Sequence, residues 1–125
     1  YKGILADSSR SVFDGKIIVR ENASNSHSFQ ENKNLILSDN AEANMKPTFW
    51  IYNDDVKCNH GAASGKLDRD QLFYMRSHGI SEFDSKVQLT EAYIKEITNL
   101  IEHVATKQQV NRLITKKLKE MAHNI

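Results

Sequence analysis

The chain has 125 residues, with 39% hydrophobic and 26% charged residues, which suits one globular domain or a piece of a larger one. Its formal net charge of +1 and its dispersed lysines and arginines lack the basic field of a nucleic-acid-binding protein, so we expect no nucleic-acid partner. No apolar run approaches the roughly 20 residues that span a bilayer, so we expect no membrane partner.

Residues 1–67 are predicted to form short β-strands bounded by clusters of Asn, Asp, Ser and Gly. The strands are expected at Gly3–Ala6, Ser11–Arg20, Ser28–Gln30, Asn34–Ser38, Thr48–Tyr52 and Val56–Asn59. Gly61 and Gly65 are expected to let the chain leave the sheet. The apolar peaks Ile17–Val19, Leu35–Leu37 and Phe49–Ile51 recur at steps of 18 and 14 residues, a spacing that favours a parallel solenoid. An antiparallel sandwich fits the same turn-rich pattern. Because Tyr1 opens the chain inside a strand-like segment, we expect a C-terminal fragment whose exposed end pairs with another copy.

From Asp68 onward the apolar period becomes helical, which predicts a helical domain over residues 68–125. Asp68 is predicted to cap the first helix, which ends at Gly79 in a left-handed conformation. Ser81 is predicted to cap a second helix, whose buried stripe reaches Val104. A third helix follows, with lysines in its last turns.

Cys58, the only cysteine, lies two residues before His60 where the β pattern gives way to the helical one. Side chains at positions i and i+2 of a strand project to one face, so the two could address one ligand. A thiolate and an imidazole suit iron–sulfur clusters, zinc or copper, but two ligands complete no tetrahedral site. The pair is therefore predicted to be at most half a metal site. Two alternatives are simple packing and a thiol hydrolase with Cys58 as nucleophile and His60 as base.

The segment that follows Asp55, VKCNHGAASGKLDRDQLFYMRSHGI, resembles the SufB/SufD family of SUF iron–sulfur cluster assembly scaffolds. The upstream segments FDGKIIV, QENKNLILS and AEANMKPTFWIYNDD resemble the preceding stretch of these proteins, so the likeness covers about residues 11–102. The SufB branch typically has H-E-A where this chain has H-G-A, which favours the SufD branch.

The resemblance implies a mainly β protein with C-terminal α structure. Residues 1–67 would be the end rungs of a right-handed parallel β-helix, and residues 68–125 would be the small helical domain. It also implies a non-enzymatic scaffold subunit, located in the cytoplasm or in an equivalent plastid compartment. Such a subunit pairs with SufB through the β-helix and holds the SufC ATPase through the helical domain.

The resemblance implies that His60 faces the nascent cluster and that Cys58 is an assisting ligand. We expect Phe73, Tyr74 and Arg76 to lie in the region that binds SufC. The implied iron–sulfur cluster is transient and belongs to the full complex, so no cofactor is expected in the isolated fragment. The alternative is a generic β-solenoid interaction module without a cofactor, in which Cys58 and His60 only pack.

Overall fold

The structure is a computed structural model that describes residues 1–122. The last three positions of the predicted helical domain, 123–125, lie outside the described residues. The described part forms five strands followed by three helices. They are β1 (Lys2–Leu5), β2 (Arg10–Val19), β3 (Ser26–Ile36), β4 (Glu42–Ile51), β5 (Val56–Gly65), α1 (Arg69–Ser77), α2 (Glu82–Thr98) and α3 (Val104–Ala122). None of the helices in the described part is long and apolar enough to cross a membrane.

The strands form two parallel sheets, and consecutive strands alternate between them. One sheet has the order β1-β3-β5, and the other pairs β2 with β4. Lys2 pairs with a residue 31 positions later, Arg10 with one 32 positions later and Ser26 with one 30 positions later. The backbone pairing therefore recurs about every thirty residues.

The prediction of a right-handed parallel β-helix is wrong. Both sheets in residues 1–122 are open rather than closed into a solenoid, and the three helices contain as many residues as the five strands, so the chain is an α/β mixture. The apolar spacing misled because Ile17 pairs with Phe49 in one sheet, whereas Leu35 lies in the other. The steps of 18 and 14 residues therefore follow the alternation between the two sheets rather than a complete repeat.

The face of β3 that meets the other sheet is polar. Gln30, Asn32 and Asn34 are buried at alternate positions along this strand. Asn34 Nδ2 donates hydrogen bonds to Asn32 Oδ1 at 2.6 Å and to Met45 Sδ on β4 at 3.0 Å. The second bond joins the two sheets. Within residues 1–122 the buried apolar residues are few: Leu5, Ala6, Val19, Leu35, Val87 and Leu118.

Lys2 on β1 holds the sheet against α2. Its side chain is 7% exposed, and Nζ donates a 2.8 Å hydrogen bond to the carbonyl oxygen of Tyr93. The same Nζ pairs with the Glu96 carboxylate and lies 4.0 Å from the centroid of the Tyr93 ring. The hydrogen bond and charge of Lys2 lower the pKa of Glu96, and burial raises the pKa of Tyr93.

The caps predicted for the first two helices are confirmed. Asp68 Oδ1 accepts from the backbone N–H groups of Asp70 at 2.8 Å and Gln71 at 3.3 Å. Ser81 Oγ accepts from the N–H of the residue three positions later at 3.0 Å. Gly79 ends α1 with a φ of 83°, the left-handed conformation expected of it.

The predicted end of the second helix is too late. α2 ends at Thr98, and Val104, which was expected in its buried stripe, is the first residue of α3 and is 67% exposed. The backbone N–H of Thr106 donates to Nδ1 of His103 at 3.2 Å. The His103 side chain thus satisfies one of the N–H groups that a helix start leaves without an intrahelical partner.

Candidate functional site

Cys58 and His60 lie together on β5, an edge strand of the three-stranded sheet. They stand opposite Ser28 and Gln30 of β3 in the parallel register. As alternate residues of one strand, they project to the same face. The His60 ring packs edge-on against Phe49 of β4, with the ring centroids 5.0 Å apart and an interplanar angle of 83°. This face of β5 is therefore directed toward the second sheet.

The strand is longer than the sequence predicted. A strand ending at Asn59 was expected, with Gly61 and Gly65 letting the chain leave the sheet, but β5 continues through both glycines to Gly65. Because the strand runs on, His60 lies in its middle with a fixed backbone rather than in a turn.

The His60 ring is exposed, and within residues 1–122 it has no hydrogen-bond partner. Cys58 is a half-buried free thiol, and no hydrogen bond to it occurs in the same residues. The described part of the chain has no group of three or more His, Cys, Asp or Glu residues placed to hold a metal ion. The two side chains thus offer one nitrogen and one sulfur donor, and any complete coordination sphere needs ligands from elsewhere.

The thiol hydrolase alternative needs a base that is hydrogen-bonded to the nucleophile. No such bond joins Cys58 and His60 in the described residues. The face carries an available imidazole beside a thiol, and this arrangement is better suited to ligation than to nucleophilic catalysis.

The predicted partner-binding residues lie on one short helix, α1. Phe73 is 75% exposed and Tyr74 is 64% exposed. Arg76 Nη1 lies 3.3 Å from Glu82 Oε2 at the start of α2, so the arginine is exposed but held by an ion pair. Tyr74 also lines a largely apolar groove of about 410 Å³ between α1 and α2. The groove is lined by Asp70, Gln71, Tyr74, Met75 and Leu89.

Sequence reasoning missed Gln30, which lies beside His60 across the β3–β5 pair. It predicted two short strands, ending at Gln30 and beginning at Asn34, because the polar run between them looked like a turn. β3 instead runs unbroken through this stretch. The signal that was present is the alternation of amide side chains at Gln30, Asn32 and Asn34, which has the period of a strand.

Residues 1–93 match the core domain described as "SUF system FeS cluster assembly, SufBD core domain". The chain belongs to the SufBD family. The SufBD match contains all five residues singled out from the sequence and ends within α2. Those residues are Cys58, His60, Phe73, Tyr74 and Arg76.

The SufBD chain is 39% identical to the iron–sulfur cluster assembly protein SufD of Escherichia coli K12 over 118 residues, which cover 94% of this chain and 28% of that protein. It is 39% identical over 101 residues to the SufBD family protein slr0076 of Synechocystis, covering 81% and 22%. It is also 39% identical over 98 residues to the chloroplastic protein ABCI7 of Arabidopsis thaliana, covering 78% and 21%. The chain spans less than a third of the length of each of these relatives.

Proposed function

We propose that this chain is part of a SufD-type scaffold subunit that takes part in iron–sulfur cluster assembly without being an enzyme itself. The cluster is its transient cargo, and the chain alone holds no cofactor. Similarity to proteins named SufD from Escherichia coli and Bacillus subtilis supports the SufD type. The bacterial and chloroplastic relatives support a place in the cytoplasm or in plastids.

The proposal rests on the exposure of the His60 ring and on its lack of a hydrogen bond within the described residues. The ring belongs to an edge strand. A histidine that packed in the core would have its ring nitrogens paired inside the fold, whereas the exposed ring of His60 leaves both nitrogens accessible to a partner. His60 contributes a nitrogen ligand toward the nascent cluster, and Cys58 beside it is a second, assisting donor.

The incomplete ligand set fits a site shared between subunits. SufB supplies the remaining ligands, because residues 1–122 offer no third donor near the pair. A scaffold must bind a cluster and then release it, and a site divided between two chains opens when the chains separate. The imidazole is also a neutral ligand that replaces a charged thiolate, and we expect this replacement to favour release of the iron–sulfur cluster.

SufC docks on the helical part, with α1 as its contact. Phe73 and Tyr74 supply exposed aromatic area, and aromatic side chains are enriched at the energetic centres of interfaces. Arg76 adds a charge whose position is fixed by Glu82. Nucleotide hydrolysis belongs to SufC, because this sequence contains no phosphate-binding loop.

The test is His60→Ala in the complete complex of SufB, SufC and the full subunit, reconstituted anaerobically with iron and sulfide. We expect the visible charge-transfer absorption of the cluster to fall several-fold while the complex still assembles. His27→Ala is the matched control, because His27 is also an exposed histidine on a strand of the same sheet. If His60→Ala gave the same cluster yield as the parent, the alternative function, a protein-interaction module without a cofactor, would be supported instead.

A further inference from the structure

Gln30 carries a buried carbonyl oxygen without a partner. The residue is 6% exposed, and its Oε1 has no hydrogen bond within the described part of the chain. The neighbouring buried amides differ, because Asn32 Oδ1 accepts a 2.6 Å hydrogen bond from Asn34 Nδ2. A buried acceptor that is left unpaired lowers stability, so a purely structural role does not account for this oxygen.

The position of Gln30 points to the candidate ligand. Gln30 stands directly opposite His60 in the β3–β5 register, and both side chains project to the face that meets the second sheet. Neighbouring strands lie about 4.8 Å apart, so the glutamine side chain is long enough to reach the imidazole.

Gly15 on β2 leaves room for the Gln30 amide. A Cβ atom at Gly15 would lie 1.9 Å from Gln30 Nε2, so any larger residue there would displace the amide. Rotation about the last bond of a glutamine side chain is soft, because this torsion has a broad energy profile. The amide can therefore turn its oxygen toward β5 without a change in the backbone.

We infer that Gln30 is a positioning residue for His60: its Oε1 accepts the hydrogen bond of the ring N–H that does not face the cluster. This inference rests on the proposed role of His60. Histidines that bind metals almost always donate their second N–H to a carbonyl or carboxylate, which fixes the tautomer and strengthens the ligand. Gln30 offers a carbonyl oxygen that is unpaired and buried, one strand away.

The test compares Gln30→Met with Gln30→Glu in the complete complex with SufB and SufC. Methionine has nearly the same shape but no strong acceptor, whereas glutamate keeps an acceptor oxygen. We expect Gln30→Met to keep or raise the melting temperature while the affinity for the cluster falls about tenfold or more. We expect Gln30→Glu to retain cluster formation. Asn34→Ala is the control for loss of a buried amide, and it should lower the melting temperature without changing cluster affinity per folded complex.

A second readout does not depend on the variants. In the parent complex with ¹⁵N-labelled histidine, His60 should show a single ring tautomer with a slowly exchanging N–H. A His60 N–H that exchanges with solvent as fast as that of His27 would overturn the inference, even if Gln30→Met failed to fold.

The outcomes separate the two proposals. Normal cluster yield in Gln30→Met together with loss in His60→Ala would refute the role of Gln30 and leave that of His60 intact. Normal yield in both variants would refute both.

Discussion

At the scale of single residues, Lys2 on β1 joins the strands to α2. Its ammonium is almost fully enclosed, yet it is compensated on three sides by the Tyr93 carbonyl, the Tyr93 ring and the Glu96 carboxylate. A buried charge without such partners would be strongly destabilising. Lys2 thus anchors α2 to the first strand through three contacts.

We expect Lys2→Met to loosen α2 from β1. Loss of the bond to the Tyr93 carbonyl and of the cation–π contact should lower the local opening free energy of α2 by about 1–2 kcal/mol. Hydrogen–deuterium exchange of the α2 amides measures this. Lys57→Met is the control, because Lys57 is an exposed lysine on β5. Equal exchange in the two variants would show that the contact contributes nothing.

The same contact should weaken in acid. The hydrogen bond and charge of Lys2 lower the pKa of Glu96 from its ordinary value in the folded chain. A depressed carboxyl pKa stabilises the folded state above the unfolded pKa, and this contribution is lost as the pH falls through the folded pKa. The difference in exchange between the parent and Lys2→Met should therefore be larger at neutral pH than at a pH below the folded pKa of Glu96.

At the scale of elements, α1 is a short, capped platform. Asp68 caps its start, Gly79 closes its end, and the Arg76–Glu82 ion pair connects it to α2. None of its nine residues is buried, so its aromatic side chains do not serve the core of the described chain. A helix that is held at both ends and that exposes Phe73 and Tyr74 is suited to contact a partner.

Phe73→Ala and Tyr74→Ala should each weaken SufC binding by about tenfold, because truncation of a central aromatic side chain commonly costs an interface one to two kcal/mol. Titration calorimetry of the full subunit with SufC measures the dissociation constants. Leu113→Ala removes an equally exposed apolar side chain from α3 and should leave binding unchanged. Unaltered binding in both aromatic variants would place the SufC contact elsewhere.

The sequence predicts elements well where a local signal sets their boundary. The side chains of Asp68 and Ser81 cap helices because a capping oxygen is a short-range feature, and the left-handed residue Gly79 is equally local. The predictions failed where contacts with residues distant in the sequence determine whether a segment is extended. The polar stretch of β3 is extended because its backbone pairs with β1 and β5 and because Asn34 bonds Met45 of the other sheet, and no local rule contains that information.

The residues of the candidate site likewise include some that the sequence could predict and some that it could not. Cys58 and His60 could be placed on one face from their spacing alone. Gln30 could not be assigned beside His60, because the pairing joins positions thirty residues apart and its register is set by both strands together. The His60 contact with Phe49 likewise requires the second sheet.

At the scale of the whole molecule, each of the two open sheets in the described part of the chain has a strand beside the candidate site whose outer edge is unpaired. Among residues 1–122, β5 has a neighbour only on its β3 side, and β4 has a neighbour only on its β2 side. The backbone N–H and C=O groups along the outer sides of these strands are templates for another strand. Cys58 and His60 lie on this same edge strand, so a second polypeptide that extended the sheet would run beside them.

We therefore predict that the 125-residue chain by itself associates with further copies through the β5 edge. In sedimentation velocity, the weight-average sedimentation coefficient should rise with protein concentration. Ala62→Lys should reduce this rise, because Ala62 is exposed on β5 and a charge on an edge strand opposes further pairing. Ala105→Lys adds the same charge at an exposed position of α3, away from the edge, and should not. A concentration-independent monomer, or equal effects of the two lysines, would show that the edge does not drive association.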